Sequence, residues 1–140
     1  MKTIFTLAIA ITLSTAKLSG QTILLEEDFE GAAFPVGWTQ ATNATDGGWL
    51  LGTNISLQSQ WWSIATHGNF IATNDDECDC DKTVDYLIMP PLDLSSLTSA
   101  VLQFQSYFDA GTLSGGTEVA TVEYSLDNGS TWNLLQTIVG

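Results

Sequence analysis

Apolar and polar residues alternate in short runs along much of the chain, which is the pattern of half-buried β-strands. The clearest run is "AVLQFQSYF" (100–108), and a strand is also predicted over "TILLEEDFE" (22–30). Turn signals separate further short runs: "GGWLLG", "WWSIAT", "GNFIAT", "VDYLIMP", "EVATVEYSL" and "WNLLQTIV". Helical character is confined to "LDLSSLTSA", where little sustains it. The pattern predicts an all-β chain that folds as an antiparallel β sandwich or jelly roll.

The tryptophans divide between the inside and the outside of this predicted fold. We expect four of them to be mostly buried: Trp38, Trp49, Trp62 and Trp132. Successive side chains of a strand point to opposite faces, and Ile64 shares the phase of Trp62. Trp62 is therefore assigned to the core and Trp61 to the surface. An exposed Trp61 could stack on a sugar ring, although a neighbouring loop could also cover it.

The N-terminus has the organisation of a secretory signal peptide. A basic start at Lys2 precedes an apolar run (residues 4–13) that is too short to span a bilayer. Small residues then offer cleavage after Ala16 or after Gly20, and we prefer the second. This gives a signal peptide over 1–20 and one domain over 21–140, with no later membrane segment. The mature chain is thus expected to be secreted or held at the cell surface.

Removal of residues 1–20 makes the chain strongly acidic. It leaves one lysine, no arginine and sixteen acidic residues, which is a net charge of −15. Such a surface repels phosphate backbones and anionic lipid head groups. Nucleic-acid binding is therefore excluded, and cation binding is favoured.

The densest acidic segment is "NDDECDCDK" (74–82), with five carboxylates and two thiols. In an extended chain, Asp75, Glu77, Asp79 and Asp81 would share one face and repel one another. Calcium would make this tolerable because it takes about six to eight oxygen ligands at flexible geometry. The spacing is not that of an EF-hand, and a solvated acidic loop is the alternative.

Cys78 and Cys80 in this segment are not expected to bind calcium, because thiolates suit soft metals. A zinc site would need two further ligands, and His67 is the other strong candidate in the chain. In an oxidising compartment, we predict instead that the two cysteines form a disulfide with each other. His67 is then interpreted as an exposed loop residue.

The stretch "YSLDNGSTW" (124–132) matches the Asp-box pattern S-x-D-x-G-x-T-W. Asn128 and Gly129 readily adopt positive φ, and the Asp127 side chain can accept backbone N–H groups across the turn. Trp132 is expected to pack beneath the loop. We interpret this hairpin as a structural element that says little about activity.

The motifs follow one another in a fixed order: "EEDFEGAAFPVGWTQ", "DGGWLLG", "GNFIATNDD", "VDYLIMPPLDLSSL", "LQFQSYFD" and "ATVEYSLDNGSTW". Together they resemble the cleaved-adhesin or choice-of-anchor J domains of secreted Bacteroidetes proteins, which are related to gingipain adhesin modules and distantly to MAM domains. The resemblance covers roughly residues 24–138. It implies a β jelly roll with structural calcium, often placed beside a peptidase domain or a secretion signal. Such domains usually continue into further strands, so we expect this domain to be incomplete at Gly140 and part of a longer polypeptide.

The resemblance also implies a site and a function. It assigns calcium to the first strand and the acidic segment, with these ligands: Asp28, Glu30, Asn74, Asp75 and Asp76. The implied function is a non-catalytic, calcium-stabilised adhesion or carbohydrate/protein-binding module with an extracellular glycan or protein ligand. The alternative is an accessory domain of a secreted hydrolase, such as a peptidase, whose catalytic domain lies elsewhere. No Ser/His/Asp set, H-E-x-x-H motif or paired Cys/His is found, so this segment is not expected to be an enzyme.

Overall fold

A computed structural model describes residues 22–61, 63–65, 68–108, 111–113 and 116–138. The predicted signal peptide, Trp62 and His67 lie outside these residues. The elements, in chain order, are β1 (Thr39–Thr42), β2 (Leu50–Gly52), α1 (Asn54–Leu57), β3 (Phe70–Ala72), α2 (Asp75–Cys78), β4 (Asp85–Ile88), β5 (Thr112–Leu113), β6 (Gly116–Thr117), β7 (Ala120–Tyr124) and β8 (Asn133–Ile138). Strands predominate, and each pairing between them is antiparallel. The prediction of a mostly β, antiparallel chain is confirmed.

The strands of the described residues pair two by two: β1 with β4, β2 with β3, β5 with β6, and β7 with β8. The β1–β4 pair joins the residues most distant in sequence, with Thr39 opposite Ile88 and Thr42 opposite Asp85. Beyond its end, the Asn43 N–H donates to the Val84 carbonyl oxygen at 3.2 Å. This pairing brings the loop after β1 next to the acidic segment before β4, and so positions the ion-pair network described below.

The best-buried part of the described chain is built around α1. Leu57, at the end of α1, is 7% exposed. Among the described residues, no other hydrophobic side chain is as well buried. Leu57 lines a cleft of about 290 Å³ together with Leu50 of β2 and Ala72 of β3. Gly52 allows α1 to approach β2, because a Cβ at this position would collide with the Ser56 hydroxyl group. A small apolar centre therefore joins α1 to the paired strands β2 and β3.

Two predicted strands are wrong: residues 22–30 and residues 100–108 lie outside any strand. A strand requires a neighbour that accepts and donates its backbone hydrogen bonds, and no described strand pairs with either segment. In the first segment, side chains bind the backbone instead: Glu27 accepts the Phe29 N–H at 2.8 Å and Asp28 accepts the Glu30 N–H at 3.0 Å. Phe29 also has φ 57, which interrupts an extended chain.

The tryptophans predicted to be buried are less enclosed than expected. Trp38 and Trp49 are half-buried, and Trp38 meets the Phe29 ring edge-on at 5.1 Å between centroids. Trp132 is 43% exposed, so the expectation that it is mostly buried is wrong. The reason is that no other described element packs extensively against the β7–β8 hairpin.

The described residues include no helix with the length and apolar character needed to cross a membrane.

Candidate metal centre and the buried ion-pair network

Asp28 and Glu30 lie in a cleft of about 410 Å³ beside the start of β3. The Glu30 Oε2 atom accepts the Asn69 backbone N–H at 2.9 Å. The Asn69 side-chain amide donates to the carbonyl oxygens of Glu30 and Gly31, at 3.3 and 3.2 Å. A Cβ at Gly68 would collide with the Glu30 carboxylate, so only glycine permits this approach. These contacts fix the Glu30 side chain against β3.

Six of the nine side chains that line this cleft carry oxygen atoms. Its lining combines three carboxylates, three carboxamides and three aromatic rings: Glu27, Asp28, Glu30, Asn69, Gln103, Gln105, Phe29, Phe70 and Phe104. Carboxylate and amide oxygens are the ligands that hard divalent cations prefer. The donor set of the cleft therefore fits calcium better than a soft metal.

Asn74, Asp75 and Asp76 lie beyond the opposite end of β3, at the start of α2. The Asn74 side chain caps this helix by accepting the Asp76 N–H at 3.0 Å, and it donates to the Leu57 carbonyl oxygen at 3.0 Å. Asp75 and Asp76 are exposed in the first turn. Asn74 therefore acts as the cap of α2, and Asp75 and Asp76 follow it in the first turn.

The two halves of the predicted calcium site are not brought to one point. Asp28 and Glu30 line the cleft at Asn69, and residues 74–76 do not contribute to its walls. No three carboxylates among the described residues place oxygens close enough together to share one ion. The five predicted ligands are divided between the two ends of β3, and only Asp28 and Glu30 line the cleft.

The acidic segment avoids the extended conformation in which its carboxylates would align. Residues 75–78 form α2, and Asp79 ends the helix in the left-handed conformation with φ 47. Further along, the Thr83 hydroxyl and N–H groups donate to Asp81 and hold the pKa of that carboxyl below its ordinary value. The helical turn separates like charges that a strand would place on one face.

The predicted disulfide is confirmed: Cys78 and Cys80 are bonded, with their Cα atoms 5.1 Å apart. The Cys80 sulfur lies 4.0 Å from Asp46 Oδ1, so the two sulfurs and this carboxylate form a close group. Sulfurs that share a disulfide present no thiolate to a metal. We therefore do not interpret this group as a metal centre.

Asp46 is instead paired with Lys82. The Lys82 Nζ atom lies 2.7 and 2.8 Å from the two Asp46 carboxylate oxygens, and 3.5 Å from Asp85 Oδ2. The exposed fractions of the side chains are 13% for Lys82, 19% for Asp46 and 3% for Asp85. The hydrogen bond from Lys82 holds the pKa of Asp46 below its ordinary value, against the opposing effect of burial.

Asp85, at the start of β4, is the most enclosed member of this network. The Thr73 hydroxyl group binds its Oδ2 atom, and its backbone carbonyl accepts the Trp49 indole N–H at 3.0 Å. Its Oδ1 atom is buried and has no hydrogen-bond partner. Sequence reasoning missed the network, although one signal was present: Lys82 is the single base of residues 21–140.

The Asp-box hairpin has the predicted hydrogen bonds. Asp127 accepts the Thr131 N–H at 2.8 Å, the Thr131 hydroxyl at 2.7 Å and the Ser125 hydroxyl at 2.8 Å. These hydrogen bonds lower the pKa of Asp127 from 3.8 to about 2. The Thr131 hydroxyl group contributes most, followed by the Thr131 N–H and the Ser125 hydroxyl group. The carboxylate thus closes the turn as an acceptor.

The backbone of this turn also agrees with the prediction. Asn128 and Gly129 have φ 54 and 82. The Ser125 hydroxyl oxygen accepts the Gly129 N–H at 2.7 Å. A Cβ at Gly129 would lie 3.4 Å from the Trp132 ring, which places the indole directly beneath the loop.

Trp61 is 75% exposed, which confirms its predicted place at the surface. The backbone N–H of Trp61 donates to the Ser59 hydroxyl oxygen at 2.9 Å. A role in stacking on a sugar stays a prediction.

Comparison with known proteins adds no relative: no family model, curated protein or solved structure matches this chain significantly.

Proposed function

We propose that this chain is a non-catalytic, calcium-stabilised adhesion or carbohydrate/protein-binding module of a secreted or cell-surface bacterial protein. Its fold would be a jelly roll of the cleaved-adhesin or choice-of-anchor J type, which the order of its sequence motifs resembles. The observation that carries the proposal is the cleft at Glu30, whose lining includes three carboxylate and three carboxamide side chains. The strong acidity of residues 21–140 adds electrostatic attraction for a cation.

Calcium in this cleft would be held by Asp28 and Glu30, with amide oxygens from Gln103 or Gln105. Its role would be structural, because it would join the segment before β1 to residues 103–105. Both segments lie outside any strand, so they lack the backbone pairing that holds a sheet together. A shared ion would supply the missing cross-connection, and it would offset the repulsion among the acids.

Ligand binding would fall on the exposed aromatic surface. Trp61 presents an indole to solvent, and a flat apolar face of this kind suits the face of a sugar ring. The net negative charge disfavours anionic ligands. A neutral glycan or an extracellular protein fits these features best.

Thermal unfolding of the full chain with calcium, magnesium or a chelator tests the proposal. Calcium at a hundredfold excess over its Kd should stabilise the folded state by about 2.7 kcal/mol, and magnesium should do less. Glu30→Gln should abolish this response because it removes a charged ligand. Glu26→Gln is the matched control: it removes one charge from the same segment but lies outside the cleft lining.

Asp75→Asn then tests the other half of the predicted site. Loss of the calcium response in this variant would show that the acidic segment also binds the ion. A response lost only in Glu30→Gln would assign the ion to the cleft alone. If the wild-type chain gains no stability at millimolar calcium, and both substitutions stabilise it by relieving repulsion, the calcium proposal is wrong.

A further inference from the structure

The network of Lys82, Asp46 and Asp85 has no part in the calcium proposal, and its geometry points to a covalent modification. We propose that the Lys82 amine condenses with the Asp46 side-chain carboxyl group to form an intramolecular isopeptide bond. Asp85 would carry the proton that the reaction moves. The product would join the loop after β1 to the segment before β4.

The reacting groups already face each other. Lys82 Nζ lies 2.7 and 2.8 Å from the two Asp46 carboxylate oxygens, so the nitrogen approaches the whole carboxyl group rather than one oxygen. The two residues are 36 positions apart in sequence, and the β1–β4 pairing holds their segments together. Groups held at such distances react with high effective concentration, since no encounter is required.

The pair is mostly enclosed by the protein. The exposed fractions of the Lys82 and Asp46 side chains are 13% and 19%, so little water competes for the reacting groups. The ion pair is the resting form, because the ammonium hydrogen bond holds the pKa of Asp46 low. The reacting form, a neutral amine beside a neutral acid, arises when one proton crosses the 2.7 Å hydrogen bond. We therefore expect slow formation after folding.

Asp85 is placed to move the proton during the reaction. Its side chain is 3% exposed, and its Oδ2 atom lies 3.5 Å from the reacting nitrogen. The Thr73 hydroxyl group orients that oxygen, while the buried Oδ1 atom has no partner. A carboxylate in this position can accept a proton from nitrogen and return it to the departing oxygen.

The chemistry balances without another reactant. The neutral Lys82 nitrogen attacks the Asp46 carboxyl carbon, and a carbon–nitrogen bond forms. One proton passes from nitrogen through Asp85 to a carboxyl oxygen, the carbon–oxygen bond breaks, and water leaves. The product is a neutral amide, so one positive and one negative charge disappear and the net charge is unchanged.

The single lysine of residues 21–140 makes a direct test available. Trypsin cuts the unmodified, denatured full chain after Lys2, Lys17 and Lys82. An isopeptide at Lys82 blocks the third cut, so residues 18–140 should remain one piece, and the intact mass should be lower by one water molecule. Digestion with a glutamate-specific protease should release a branched peptide that joins Asp46 to Lys82.

Matched variants separate this reaction from other changes. Lys82→Arg keeps the cation and the tryptic site but cannot form the amide, so it should be cut completely at full mass. Asp85→Asn should form the bond about a hundredfold more slowly. Asp85→Glu, which keeps a carboxyl group, should be faster than Asp85→Asn.

Two results would overturn the proposal. One is full mass and complete cleavage at Lys82 after prolonged incubation of the folded wild-type chain. The other is a loss of one water with cleavage at Lys82 intact, which would indicate cyclisation at Asp46–Gly47 instead.

Discussion

Replacing Cys78 and Cys80 with serine opens a disulfide loop whose ends are two residues apart. A disulfide stabilises mainly by restricting the unfolded chain, and this restriction grows with the logarithm of loop length. For a three-residue loop the relation gives about 1.6 kcal/mol, against about 3 kcal/mol for fifteen residues. The bond also encloses Asp79 in the left-handed region, which offsets about 1 kcal/mol of the gain. We expect the double substitution to lower the free energy of unfolding by about 0.5–1.6 kcal/mol.

Urea unfolding, followed by tryptophan fluorescence, measures this difference. Three samples suffice: the oxidised wild-type chain, the wild-type chain with reductant, and the Cys78→Ser/Cys80→Ser chain without reductant. The last two should agree, because reduction and substitution open the same loop. A loss above about 3 kcal/mol would refute the short-loop reasoning, since a closure this small cannot supply it. Equal stability of oxidised and reduced wild-type chains would show that the bond contributes nothing.

Three further predictions concern turns. Gly48→Ala should lower the free energy of unfolding by about 2 kcal/mol in chemical denaturation, because φ is +83 and the new Cβ would lie 2.7 Å from the Thr42 Cβ. Asp79→Gly should raise the free energy of unfolding by up to about 1 kcal/mol, which a higher melting temperature would report. Asp79→Asn, which removes the same charge but keeps a Cβ at positive φ, should gain less. The Asp127 carboxylate should stabilise its hairpin fully above pH 3.8, and this contribution should disappear as the pH falls towards about 2, because folding lowers its pKa. An NMR titration of the Thr131 amide checks this pH dependence, and a signal that stays unchanged between pH 3.8 and about 2 would contradict it.

Features governed by neighbouring residues were predictable from sequence. The Asp-box turn depends on hydrogen bonds among residues 125–131, and the residue types at those positions specify them. The Cys78–Cys80 bond likewise joins residues that cannot move far apart. Trp61 is exposed as predicted, but residues 61 and 63–65 lie outside any strand, so strand alternation is not the reason for its exposure.

Features that need a distant partner were not predictable. Alternation in residues 100–108 describes one face of a strand, but it does not supply the neighbour that the strand requires, and the segment is exposed. The Glu30–Asn69 contacts span 39 residues, and Lys82 meets Asp46 across 36 residues. Such contacts depend on which strands pair and in what register, and local pattern does not determine either.

The inward position of Lys82 has a consequence for how copies of this protein behave together. The single base of residues 21–140 is 13% exposed and neutralised by its neighbours, so no lysine or arginine side chain is left to neutralise the acidic residues on the outside. Residues 21–140 should therefore act as a small polyanion, surrounded by mobile cations. Molecules crowded on one surface would repel one another over about 8 Å at physiological ionic strength and over about 30 Å in dilute buffer. Their spacing would then be set by the salt of the medium rather than by contacts between them.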